Sequence, residues 1–563
     1  MSTTGTVPTE TSPLLPRSES NGLSPSVEPE DNVAFEENAG DSNGGDLERQ
    51  NSNSDTTAKQ QGLPEVRRRM KYIFPAIAIG VFLSSADQTL VVSTYGIIGT
   101  DLHALNNTSW IATAYFLTLS AFQPVYGKLS DIFGRKPCLL FAYTIFGLGS
   151  FCCGLARNMN ELIIARAFAG IGGGGMSVVT SVMLSDVVPL IERGAWQGYV
   201  NIIYAFGATA GAPLGGLLAD SIGWRWAFLA QGPACAIAFL AVYFVLELPR
   251  EDHSHWKEKL MKIDFLGAII LVTAVFGLLL GLDHGSNFGW NNTITIVGLC
   301  ATPLFAVFVL VERYVAKHPF APFRIILNRS LFACYLCNFF SFAGWLAALF
   351  FIPLYWQVTG DLSAAQSGLL LLPCILFGVG GSLGGGIYMK RTGNYYWITV
   401  IAYSILVVGV VTILLCAGLV WKSRVGMVVG TCLAGLGNGI GVTTTLIGLI
   451  SNASHADQAI ATACSYLFRS LGSVFGVSMC ATALNQVLRS SLHSALKGDK
   501  DAEKIAERVR ESLSYLRQLD PALKEIVVDC YSKGARAAIS VSIVFTFGSA
   551  LFAWFVREKK LGR

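Results

Sequence analysis

Beyond residue 66 the chain alternates long apolar runs with short polar breaks. From "RRRMKYIFPAIAIGVFLSSADQTL" onward, runs of roughly twenty residues recur, each long enough to cross about 30 Å of hydrocarbon as a helix. They fall near 72–98, 109–129, 137–157, 160–185, 196–219, 224–247, 264–283, 291–312, 330–358, 362–388, 395–418, 424–450, 458–487 and 535–556. In lipid, the backbone groups of a spanning segment must bond within it, so these runs are helices. The pattern predicts an all-α polytopic membrane protein with fourteen transmembrane helices.

Composition agrees: 52% of residues are hydrophobic and only 14% charged, against about 25% charged in soluble domains. The net charge of +4 and the absence of a basic stripe with interleaved aromatics argue against a nucleic-acid partner. The thirteen cysteines lie mostly inside apolar runs such as "FCCGLA", where a thiol is a small hydrophobe. No CxxC pair is matched at metal spacing, and no metal or cofactor is expected. Residues 1–66 differ from the rest, with twelve Asp/Glu against three Lys/Arg and few apolar residues. They are expected to be a disordered tail.

Lys and Arg in short loops set orientation. "RRRMK", "GRKP", "KEKLMK", "KRTGN" and "REKKLGR" fall on one side, while "DLHALNNTS", "RNMNE", "DHGSNFGWNN" and "TGDLSA" fall on the other. Both termini are therefore expected in the cytosol, with the sequons at Asn106, Asn107 and Asn291 on the far side as glycosylation candidates. A charged stretch at 488–534 carries Ile505, Val509, Leu513 and Leu516 at helical spacing and reads as a far-side amphipathic helix.

The loop after the second run reads "GKLSDIFGRKP". Gly127, Asp131, Gly134, Arg135 and Lys136, with Leu129, match G-x-L-x-D-x-x-G-R-K/R, and the chain thereby resembles the major facilitator superfamily. Two glycines allow a tight turn, and Asp131 is placed to pair with Arg135 or to meet a helix N-terminus. "ARAFAGIGGGG" around Arg166 and "GWRWAF" at 223–228 are similar to the fourteen-span branch of drug:proton exchangers. "GATAGAPLGG" resembles that branch's antiporter motif through Gly207, Gly211, Pro213, Gly215 and Gly216, with the proline one position late. Asp87 and Thr89 stand where the exporters carry D-x-T, but Thr94-Tyr95-Gly96 replaces their usual A-L-P, a version that resembles the fungal vacuolar basic amino acid transporters.

The resemblance implies two six-helix bundles with a substrate held between them near midplane. The expected divisions are a cytosolic tail at 1–66, a first bundle at 67–250, a linker with two extra spans at 251–325, and a second bundle at 326–563. The loop motif becomes a cytoplasmic gate latch. Ionisable groups inside spans are costly and therefore candidates for function. Asp87 is placed to carry a proton or meet a cationic substrate, or else to accept structural hydrogen bonds. Arg166 is placed to hold a substrate carboxylate or tune a proton step, or else to tie helices together. Arg469 is placed to bind an anion or the substrate carboxylate, or else to be a helix tie or a water-facing charge. Tyr204, Gln231, Asn338, Tyr355, Gln357 and Asn438 are candidates for the cavity wall. The glycine-dense helices are close-packing surfaces, not nucleotide loops.

No nucleophile–base set or phosphate-binding loop is visible, so the chain is expected to be no enzyme and to draw on an ion gradient. The leading expectation is a proton-coupled transporter moving basic amino acids into the vacuole. The alternatives are a plasma-membrane drug:proton antiporter and a non-transporting nutrient receptor. In the tail, "ETSPLL" places Glu10 before Leu14 and Leu15, which resembles an acidic dileucine signal read by a vacuolar sorting adaptor; the other reading is coincidence.

Overall fold

The computed structural model describes residues 70–102, 109–247, 264–288, 290–315, 325, 328–360, 362, 364–454, 457–495 and 520–559. The apolar runs fold as helices. The first group comprises α1 (Met70–Asp101), α2 (Ser109–Phe133), α3 (Arg135–Leu155), α4 (Met159–Val187) and α5 (Leu190–Ser221). Its last span is α6 (Trp224–Leu229) running into α7 (Gln231–Val245). Then come α8 (Phe265–Phe288), α9 (Thr293–Leu299) and α10 (Leu304–Tyr314). The second group holds α11 (Arg329–Gly360), the short α12 (Ala364–Leu369) leading into α13 (Leu372–Thr392), and α14 (Tyr396–Cys416). It ends with α15 (Arg424–Asn452), α16 (Gln458–Ala495) and α17 (Pro521–Ala553).

Local chemistry sets several helix ends. Asn158 accepts the Glu161 N–H at 2.9 Å and Glu161 accepts the Arg157 N–H in return, a reciprocal cap at the start of α4. Ser423 caps α15 by accepting from Gly426 N. Between α2 and α3 the chain turns at Gly134, whose φ of 91° suits a residue without Cβ.

The two groups repeat one packing scheme. In the first, α1 packs on α5, α2 and α3 on α4, and α7 on α1 and α3. In the second, α11 packs on α16, α13 and α14 on α15, and α17 on α11 and α14. Each of these partnerships has its counterpart in the other group. The groups meet through the exchanged pairs α2 with α16 and α5 with α13. The inserted α8 lies along the first of these seams, against both α2 and α16.

Among the described residues, twelve helices are long and apolar enough to cross a membrane, two fewer than the pattern predicts. The two outside that set are α2 and α8. Helix α2 carries Thr118, Ser120, Gln123, Ser130 and Asp131 among its apolar residues, which lowers its mean hydropathy. In α8 the apolar stretch stops at Leu282, before Asp283 and His284. The ends of the segment 488–534 also differ from expectation. Residues 488–495 continue α16 and 521–534 begin α17, because buried Leu488, Leu492, Val527 and Tyr531 keep the two helices packed beyond their apolar runs. Ile505, Val509, Leu513 and Leu516 lie outside the described residues.

Candidate functional site

The carboxylate of Asp87 on α1 is wholly buried, and Arg166 on α4 donates to it through Nη1 at 2.6 Å. Gln231, at the start of α7, donates to the other carboxylate oxygen at 3.0 Å and accepts from Ser150 on α3 at 3.2 Å. The guanidinium also donates through Nε to the Ile111 carbonyl at 3.1 Å and stacks over Tyr115, 4.3 Å from the ring centroid. Residues of five helices, α1, α2, α3, α4 and α7, thus converge on one neutral ion pair.

The antiporter-like motif explains how it is sealed. A Cβ at Gly207 would collide with Ser85 and one at Gly211 with the Ala86 carbonyl, so the glycines let α5 lie directly on α1 beside Asp87. Gly215 is buried and Gly216 half-buried further along, and Pro213 sits exposed inside the helix. At the far end of α1, Asp101 accepts from Arg225 at 2.7 Å and from the Trp224 indole at 3.1 Å, which accounts for the "GWRW" turn.

The second group is electrostatically different. Arg469 on α16 is 7% exposed and donates through Nε to Asn338 Oδ1 at 3.1 Å and through Nη2 to the Val442 carbonyl at 3.4 Å. Tyr466 and Phe342 flank it, at 5.0 and 5.6 Å to the ring centroids. Among the described residues no carboxylate reaches it. One helix away, Asn438 is buried and its Oδ1 has no hydrogen-bond partner among the described residues.

The loop motif forms a three-way clamp. Arg135 donates at 2.7 Å to each of Asp131, Ser130 and Asp186, the last from the end of α4. Lys136 donates to the Tyr243 carbonyl at 2.7 Å. Gly127 presses α2 against Ala459 and Ala463 of α16. The contacts joining the two groups gather at this motif end. Lys390 meets Glu192 at 3.1 Å, Asn201 donates to Ser382 at 2.7 Å, and Ser181 shares a 2.5 Å hydrogen bond with Tyr466. Gly386 and Gly194 lie so close that a Cβ on either would meet the other's backbone. The motif end is shut in this conformation.

The remaining candidates are scattered. Tyr204 donates to Gln88 at 2.8 Å, joining α5 to α1. Tyr355 instead donates to the Ala417 carbonyl at 2.7 Å, bracing the end of α14. Asn338 belongs with Arg469, and Gln357 is half-buried on α11. Asn291 is exposed just before α9. Glu10, Leu14, Leu15, Asn106 and Asn107 lie outside the described residues. Sequence reasoning missed Asp186, Glu192, Lys390 and Tyr466. The charged run "SDVVPLIER" after the fourth span was the one available signal, since the others depend on pairings across the seam.

Comparison with known proteins gives this geometry a setting. The family model for the Major Facilitator Superfamily matches residues 77–477. The chain is 39% identical to the vacuolar membrane amino acid uptake transporter fnx2 of Schizosaccharomyces pombe, over 87% of this chain and 84% of the relative. It is 36% identical to the multidrug resistance protein fnx1 of the same organism, covering 86% and 93%. With the vacuolar basic amino acid transporter 2 of Saccharomyces cerevisiae it shares 33% identity over 78% and 95%. Among solved structures, the proton:xylose symporter XylE superposes with a TM-score of 0.57 at 14% identity, covering 88% of this chain and 97% of that one, a likeness of fold. The chain belongs to the major facilitator superfamily and is a multi-pass membrane transporter, not an enzyme.

Proposed function

We propose that this transporter moves basic amino acids from the cytosol into the vacuole in exchange for protons. The observation that carries the reading is the near full-length similarity to two relatives named for vacuolar amino acid transport, one of them for basic amino acids. Asp87, the carboxylate buried in the first group, is the residue we assign to the proton step, with Arg166 as the cation that releases or recaptures it. In the same reading α2 and α8 cross the membrane as the thirteenth and fourteenth spans, and the motif end faces the cytosol with both termini. Residues 1–66, 67–250, 251–325 and 326–563 are then the tail, first bundle, linker and second bundle. Glu10, Leu14 and Leu15 address the protein to the vacuole through a sorting adaptor.

A second reading, multidrug efflux at the cell surface, is favoured by the 36% identity to a multidrug resistance protein. Labelled lysine, arginine and histidine, offered to isolated vacuoles energised with ATP, separate the two. The proposal expects uptake that depends on this protein and collapses with the proton gradient. Vacuoles that take up none of the three, from cells that become drug-sensitive without the protein, establish the second reading instead.

A further inference from the structure

A guanidinium cannot shed its proton inside a protein, so Arg469 keeps its charge while buried. It donates to Asn338 Oδ1 and to the Val442 carbonyl, and the Tyr466 hydroxyl lies beside it, so the fork is only partly engaged. Both acceptors are neutral. The contrast with Arg166, neutralised by Asp87 at 2.6 Å, is one between a finished ion pair and half of one. Among the described residues Arg469 has no counter-ion; a cation buried in that way is strongly disfavoured, and the anion that completes it is naturally a ligand.

The surroundings hold the guanidinium in place for that purpose. Asn338 donates to the Cys334 carbonyl at 3.0 Å and to Ser465 Oγ at 3.2 Å, which fixes its oxygen toward Arg469. Tyr466, one turn before Arg469 on α16, reaches Ser181 across the seam, so the site borders the space between the two groups. On α15, Asn438 stands four residues before Val442, on the same helix face and about 6 Å along the axis. Its buried Oδ1 lacks a donor among the described residues. A cation and an acceptor left open on neighbouring helices, α16 and α15, complement a carboxylate and an adjacent ammonium.

We infer that Arg469 and Asn438 form a seat for the α-carboxylate and α-ammonium of a free amino acid, with Asn338 as a positioning residue. The inference rests on the amino-acid reading above and deepens it. The seat recognises the part common to all amino acids, so selection for basic side chains falls to other residues.

Thermal unfolding of the purified full-length protein tests it, with lysine, lysinamide, cadaverine and leucine as probes. The seat expects lysine to raise the unfolding midpoint, and lysinamide and cadaverine, which lack the carboxylate, to do so far less. Asn438→Ala should weaken lysine binding about tenfold, and Arg469→Gln should erase the preference for lysine over lysinamide. Should Arg469→Gln fail to fold, the wild-type comparison of lysine with lysinamide still decides. Equal stabilisation by lysine, lysinamide and cadaverine overturns the seat while leaving basic substrates standing. Stabilisation by leucine and not lysine supports the seat and sinks the basic amino acid reading. A protein that no free α-carboxylate stabilises overturns the seat.

Discussion

Asp87 and Arg166 are legible one at a time in the sequence, as ionisable residues inside apolar runs, but their partnership is not. They are 79 positions apart and meet because α1 and α4 converge. The pairing changes what a substitution does. Asp87→Asn alone leaves Arg166 buried without its counter-charge, and breaking such a pair destabilises by about 3–5 kcal/mol. The single variant should therefore reach the membrane in reduced amount. Asp87→Asn combined with Arg166→Gln removes both charges and should restore abundance without restoring gradient-driven uptake. Immunoblots of isolated membranes beside uptake assays read both. A double variant that still concentrates substrate rules out a coupling role for the pair. The motif clamp is milder, because Asp131 and Arg135 are a quarter or less exposed and Asp186 remains after Asp131→Asn. A partly wet pair contributes on the order of 1 kcal/mol. That variant should fold normally and turn over more slowly, and unchanged transport at equal abundance would remove the latch role from Asp131.

At the scale of helices, the sequence marks small residues without saying what they touch. Gly386, in "GVGGSLGGG", reads as one more packing glycine; the structure sets it against the backbone of Gly194 on α5. A side chain there acts as a wedge at the shut end, with a Cβ only 2.6 Å from Ala195 N. Gly386→Val should hold the motif end open while sparing the packing inside each group. Cysteines introduced by Glu192→Cys and Lys390→Cys, joined by a short cross-linker, should couple with Gly386 present and fail to couple with Val. Undiminished coupling would mean that the seam tolerates the wedge. The C-terminal "REKKLGR" is similar: it reads only as a cationic end. In the fold, Glu558 accepts the N–H of Tyr395 at 3.1 Å, and the Tyr395 hydroxyl donates to the Arg557 carbonyl at 2.8 Å. The tail is tied beneath the start of α14 by a carboxylate at a helix N-terminus.

For the whole molecule, location and transport are separate properties. The tail precedes α1, so Leu14→Ala with Leu15→Ala should leave intrinsic transport unchanged and shift the protein from the vacuolar rim to the cell surface. Fluorescent tagging of both forms in the same strain reads the outcome. A double variant confined to the vacuole would transfer the address to the membrane-embedded part. The paired packing schemes of the two groups, exchanged across α2 with α16 and α5 with α13, give the molecule a seam between two like halves, shut at the motif end in this conformation.

Hydrophobic period and length by themselves determined that the chain is helical, membrane-embedded and many times spanning, because lipid allows few other ways to satisfy a backbone. The loop motif likewise determined the family, since its residues lie within ten positions of one another and form their clamp largely locally. Tertiary structure alone decided which intramembrane charges are paired. Asp87 and Arg166 cancel, whereas Arg469 meets only neutral acceptors among the described residues. Charge balance inside a membrane depends on which helices become neighbours, and that is set by packing across the fold rather than by spacing along the chain.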